Sequence, residues 1–158
     1  MKHKILNIAL MFLLPVLLGA GCGKDELPPL EDKILKVTEM NASGCKDQLK
    51  SSDIERYVEL KAENDNQLRV RFINASLNCC PGEITSNAFI QNEILKIVFM
   101  EETMACNCIC DFDLECVIDS MENRSYEMEV YAHSEKPKAK FTFYYSKKLN
   151  ARIKVSDN

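Results

Sequence analysis

Four cysteines fall within the thirteen residues 104–116, MACNCICDFDLEC, and all four occupy even positions. On an extended strand alternate side chains share a face. Cys106, Cys108, Cys110 and Cys116 therefore stand with Met104, Phe112, Leu114 and Ile118 on one side, and Asn107, Asp111, Asp113, Glu115 and Asp119 on the other. Side chains two apart on a strand are about 6.7 Å from each other, whereas a disulfide prefers Cα atoms about 5.5–6 Å apart. The C-x-C-x-C run must then bridge to other segments and not to itself. The available partners are Cys45, Cys79 and Cys80, joined to Cys106, Cys108 and Cys110 in an order that spacing does not decide. Cys116, deeper in the strand, is left as a buried free thiol that packs as a small hydrophobe.

The same sulfurs form a soft-ligand set. Cys79, Cys80, Met104, Cys106, Cys108 and Cys110 would suit Cu(I) or Zn²⁺, and soft-metal binding is the alternative reading of the cluster. Structural zinc sites use C-x₂₋₄-C turns, which C-x-C on a straight strand does not reproduce. The sequence therefore favours bridges, with no metal or cofactor. Asp111, Asp113 and Glu115 could offer oxygens to Ca²⁺, but they lack the glycine-containing loop of a calcium hand. A charged solvent face is the simpler expectation.

Elsewhere the chain repeats with period two. Val58, Leu60 and Ala62 alternate with Tyr57, Glu59 and Lys61; past the turn-forming Glu63-Asn-Asp-Asn66, Leu68, Val70 and Phe72 alternate with Arg69 and Arg71. Segments 33–40, 83–90, 93–100, 126–131, 141–145 and 152–155 carry the same signal between polar turns, and no stretch of ten residues shows a clean helical stripe. Seven or eight short strands predict an all-β, antiparallel β-sandwich of immunoglobulin-like arrangement, with a small closed barrel as the alternative.

The N-terminus addresses the chain. Lys2 and Lys4 precede an apolar run from Ile5 to Leu18, interrupted by Pro15 and shorter than the about 20 residues that span a bilayer. This is the plan of a secretory signal. It ends in Leu18-Gly-Ala-Gly-Cys22, which resembles the lipobox of bacterial lipoproteins, with Gly19 where that motif usually has Leu. The resemblance implies a signal peptide over 1–21 and a diacylglyceryl group on Cys22. Lys24-Asp25-Glu26 resembles the surface-export signal of Bacteroidetes lipoproteins, implying an outward-facing position on the outer membrane. Residues 22–32, with Pro28-Pro29, read as a lipidated tether, and 33–158 as a single domain.

Without residues 1–21 the chain keeps 137 of its 158 residues, and loss of Lys2 and Lys4 takes the formal charge from −4 to −6. That is one domain's worth of chain, and it offers no basic patch for nucleic acid. His133 is the only histidine left. A three-histidine metal site cannot be assembled, and any nucleophile–base relay would run through a residue expected in a solvated loop.

Gly44-Cys45-Lys46, Asn-x-x-x-Asn-Cys at 74–79 and C-x-C-x-C-x-Phe-Asp-Leu at 106–114 together resemble small, uncharacterised Bacteroidetes envelope lipoproteins, over roughly residues 33–118. The resemblance implies a β-sandwich in the cell envelope and brings no catalytic residue. Asp119-Ser120-Met121 is similar to an O-glycosylation site of that phylum, at Ser120. The expected function is that of a lipid-anchored structural or binding module, held to the membrane by its lipid and accessory to a larger envelope complex. Soft-metal binding stands second and a secreted hydrolase third; no catalytic residue is assigned.

Overall fold

A computed structural model describes residues 28–46, 55–103 and 106–155. The signal segment, Cys22, Lys24–Glu26 and Met104 lie outside them. Ten strands fill the described residues: β1 Lys33–Leu35, β2 Val37–Ala42, β3 Arg56–Glu63, β4 Gln67–Asn78, β5 Pro81–Gln91, β6 Ile94–Thr103, β7 Ile109–Ile118, β8 Ser125–Ala132, β9 Ala139–Tyr144 and β10 Asn150–Val155. No α-helix occurs among them, only a 3-10 turn at Asn64–Asn66. The strands form two five-stranded sheets, β1-β5-β6-β8-β9 and β10-β3-β4-β7-β2. All neighbours are antiparallel except β6 and β8. The sheets do not close into a barrel; the architecture is a β-sandwich.

The alternation read from sequence is the burial pattern. Val58, Leu60, Leu68, Val70, Phe72 and Leu114 point inward from one sheet, and Leu95, Ile97, Phe99, Met128 and Val130 from the other, in one apolar core. Tyr145, just past β9, is 1% exposed and donates its hydroxyl to the Gln67 carbonyl at 3.0 Å, tying the two sheets together.

β4 carries one irregularity. Phe72 pairs with Leu114 and Ala75 with Phe112, so Ile73 and Asn74 together oppose Asp113. This is a β-bulge, and Asn74 takes a left-handed φ of 59°, which asparagine tolerates better than most residues. Its N–H donates to Asp113 Oδ1 at 3.1 Å, its Nδ2 to the Glu55 carbonyl at 2.8 Å, and its Oδ1 accepts from Lys46 Nζ at 2.7 Å. Inward positions are even before the bulge (Leu68, Val70, Phe72) and odd after it (Ala75, Leu77).

Two expectations change. The strand read over 33–40 breaks at Lys36: β1 pairs with β5 in one sheet, β2 with β7 in the other, so the chain crosses the sandwich there. The end of the tether is also docked. Leu30 packs on the core, Arg124 Nη1 donates to the Pro28 carbonyl at 2.8 Å, and Asp32 accepts the Asn92 N–H at 2.8 Å. Residues 28–32 belong to the folded unit because the β5–β6 turn and Arg124 supply donors for them.

On β8, buried Glu129 accepts from Tyr131 at 2.6 Å and from Lys140 at 3.2 Å. The Tyr131 hydroxyl first, against burial, and then Lys140 hold its carboxyl below the ordinary carboxylate range. A depressed carboxyl stabilises the fold above its unfolded value of about 4.3, and that contribution is lost as pH falls through the lower folded value. The stability gap between the parent and Glu129→Gln, measured by urea unfolding, is expected to be wider at pH 7 than below about pH 3. A gap independent of pH would refute this role for the carboxylate.

Candidate functional site

The cysteines gather where two long strands change sheets. β4 runs into β5 and β6 into β7, so the β5–β6 hairpin folds over from one sheet to the other. Asn78 pairs with Ile109 on one side of this corner and Pro81 with Thr103 on the other. Two residues, Cys79 and Cys80, span one arm, against five, 104–108, on the other. Unequal arm lengths of this kind accommodate a bend.

Disulfides staple the corner. Cys79 joins Cys108 with Cα atoms 5.5 Å apart, and Cys80 joins Cys106 at 6.2 Å. The first continues the β4–β7 register beyond the Asn78–Ile109 pair, so strand pairing itself brings these cysteines opposite each other. A third bridge, Cys45–Cys110 at 5.8 Å, ties the segment after β2 onto β7, where Lys46 and Asp111 form an isolated bridge pair. All three separations lie within the ordinary disulfide range.

One sequence reading of this stretch needs correction. Strand β7 begins at Ile109, so Cys106 and Cys108 precede it and do not extend its apolar face; Cys108 is exposed and Cys106 half-buried. The inward parity holds from Cys110 to Ile118. Upstream of it the chain is crossing between sheets, which ends the strand.

Polar groups hold the corner independently of sulfur. The Cys79 N–H donates to the Cys108 carbonyl at 3.1 Å, Asn78 Nδ2 to the Cys106 carbonyl at 2.9 Å, and the Cys80 N–H to Asn78 Oδ1 at 2.9 Å. Beneath them the Glu101 carboxylate, with no exposed side-chain surface, accepts the Asn78 N–H and lies 2.8 Å from His133 Nδ1. His133 is exposed in the β8–β9 connection, with a φ of 43°. Its contribution is thus to cover a buried carboxylate. Sequence reasoning missed Asn78 and Glu101. The signal for Glu101 was present: it continues the inward odd parity of Leu95, Ile97 and Phe99.

Cys116 is free and buried in β7. Burial pushes its thiol up to about 12; the nearby Ser86 hydroxyl opposes this, although its oxygen closes no hydrogen bond of normal geometry. Since the thiolate is the reactive form, Cys116 in the folded protein at pH 8 is expected to resist iodoacetamide, and to alkylate on unfolding without reductant. Labelling of Cys116 in the native state, read by peptide mass spectrometry, would contradict this.

The acidic face of β7 meets cations. Glu115 pairs with Arg69 and, at 3.0 Å, with Arg71; Asp113 pairs with Lys46; Asp111 accepts from Ser76 at 2.9 Å and lies 3.8 Å from Arg56. These carboxylates are occupied by neighbouring strands, which accounts for the face without calcium. Ser120 is exposed, with a φ of 67°, beside buried Met121.

No protein family matches this chain, and neither the curated proteins nor the solved structures provide a match.

Proposed function

We propose that the chain is a lipid-anchored structural or binding module of the cell envelope, carried on Cys22 and presented outward on the outer membrane beside a larger assembly. The observation that carries this reading is the set of three disulfides on a small β-sandwich. Such bridges form and persist in oxidising, exported compartments and are rare in reducing ones. The signal-like segment 1–21 agrees with export. The lipobox-like Leu18–Cys22 supplies an attachment point, where two or more acyl chains give stable anchoring at about 0.8 kcal/mol per buried CH₂. Residues 28–32 dock on the sandwich, so on this reading residues 22–27 are what is left to link lipid and domain. Exposed Ser120 is accessible to a glycan.

Metabolic labelling with a radioactive fatty acid tests the reading. The parent chain is expected to incorporate label and fractionate with outer membranes, and Cys22→Ala is expected to lose both. Label retained by Cys22→Ala, or a parent chain found unacylated in a soluble fraction, would overturn the anchor. External protease on whole cells reports the outward position.

A further inference from the structure

We propose that the paired corner disulfides are the oxidised form of a four-thiolate metal site, built by Cys79, Cys80, Cys106 and Cys108, that takes one Zn²⁺ when reduced. The four sulfurs all lie within 4.8 Å of one another. A tetrahedral zinc with Zn–S bonds of about 2.3 Å requires sulfurs about 3.8 Å apart. On reduction the two sulfurs of each former bridge therefore separate from bonding distance, about 2.05 Å, while the separations between the pairs, none above 4.8 Å, settle to the same value about a central ion.

The arrangement does not depend on the bridges. Asn78 clamps the Cys106 carbonyl and the Cys80 N–H, and the Cys79 N–H reaches the Cys108 carbonyl. The ladders on either side, Asn78 with Ile109 and Pro81 with Thr103, fix both arms. Cleaving the S–S bonds therefore leaves the four side chains aimed at one point. The vicinal pair gives two ligands from the inner arm and C-x-C two from the outer arm, the bent geometry that a straight C-x-C strand lacks. Cys110, inward-facing within β7, is not among the four sulfurs that lie within 4.8 Å of one another, so it is not in this ligand set.

Access is open. Cys80 and Cys108 are exposed, and a recess of about 440 Å³ beside Cys45, Cys79, Ile84 and Phe112 brings solvent to the corner. Exposed bridges are the more reducible class. The chemistry balances with a dithiol as reductant. Two dithiols become two disulfides as their hydrogens pass to the two cysteine pairs. The four resulting thiols then release four protons to the solvent as Zn²⁺ binds. Reoxidation by two equivalents of a small-molecule disulfide, reduced to four thiols as they take up four electrons and four protons, re-forms the two bridges and expels the ion. Oxidation state thus selects between a stapled corner and a metal-closed one.

Anaerobic titration of the phosphine-reduced full chain with Co²⁺, followed by Zn²⁺, tests the proposal, with far-ultraviolet circular dichroism recorded in parallel. One Co²⁺ per chain is expected, with the strong visible bands and sulfur charge-transfer absorption of a tetrahedral four-thiolate site, displaced by one Zn²⁺. The oxidised chain is expected to bind none. Cys45→Ala with Cys110→Ala is expected to keep the spectrum, and Cys79→Ser with Cys80→Ser to abolish it. A spectrum that survives the latter pair, or a reduced chain that retains its sheet signal and gives no tetrahedral bands, overturns the site. Unfolding on reduction that added Zn²⁺ does not reverse overturns it equally.

Discussion

Removing Cys79–Cys108 alone, by changing both residues to Ala, is expected to cost less than about 1 kcal/mol, and removing both corner bridges together about 3 kcal/mol. The two bridges span sequence separations of 29 and 26 residues. Taken singly, either would restrict the unfolded chain by an amount worth about 3.5 kcal/mol. They are nested, however, with their ends one and two residues apart. Once one is closed, the second closes only a small ring through 79–80 and 106–108 and removes little further freedom. The effects are therefore strongly non-additive, as expected for sites that share one constraint. Cys45–Cys110, with a separation of 65 residues, is not redundant in this way, and its removal alone is expected to cost about 3–4 kcal/mol. Urea midpoints for the single-bridge and double-bridge variants give the comparison. Equal and additive losses for the two corner bridges would show that they act through native-state contacts and not through the unfolded chain.

Phe72→Ala is expected to destabilise the domain by about 3–5 kcal/mol. Phe72 is 1% exposed and lies in β4, flanked by Val58 of β3 and Leu114 of β7. It is among the largest fully buried side chains of the core. Neighbours held in two hydrogen-bonded ladders cannot collapse into the void, so the cavity cost adds to the lost transfer free energy. Ile34→Ala on β1 removes an apolar group that is 90% exposed and is expected to shift stability by less than about 0.5 kcal/mol. Thermal or urea unfolding of the pair checks the contrast, and similar losses for both would place the core elsewhere.

Much of the fold is legible in the sequence because period two is a local signal. Val58–Leu60, Leu68–Phe72, Leu95–Phe99 and Cys110–Ile118 each show their inward parity without any knowledge of their partners. What could not be read depends on contacts distant in sequence. The crossing at Lys36 is fixed by the strands β1 and β2 find, β5 and β7, and docking of 28–32 by Arg124, 96 residues from Pro28. The corner was misread for a related reason. Even spacing continues through Cys106 and Cys108, but parity cannot show where a strand leaves its sheet. The clue lay in comparing two arms of unequal length, which requires the register. The cysteine cluster itself was visible as composition, and the ring of donors around Asn78 was not.

The Asn74 bulge has a consequence at the other end of β4. Before it, Leu68 to Phe72 pair with β7 in one register; after it, Ala75 to Asn78 pair in a register advanced by one residue. Carried on without the bulge, the earlier register would set Cys79 opposite Asn107, leaving Cys108 facing Asn78. Asn74 is thus a phase-setter for oxidative folding: a single left-handed residue, five positions upstream, selects which sulfurs meet. Straightening the bulge with the residue count unchanged would turn Ala75 and Leu77 outward and misplace Cys79 together, whereas deleting Ile73 or Asn74 would restore regular pairing with Ala75 still opposite Phe112 and Cys79 still facing Cys108. Core formation and correct disulfide connectivity therefore stand or fall as one event.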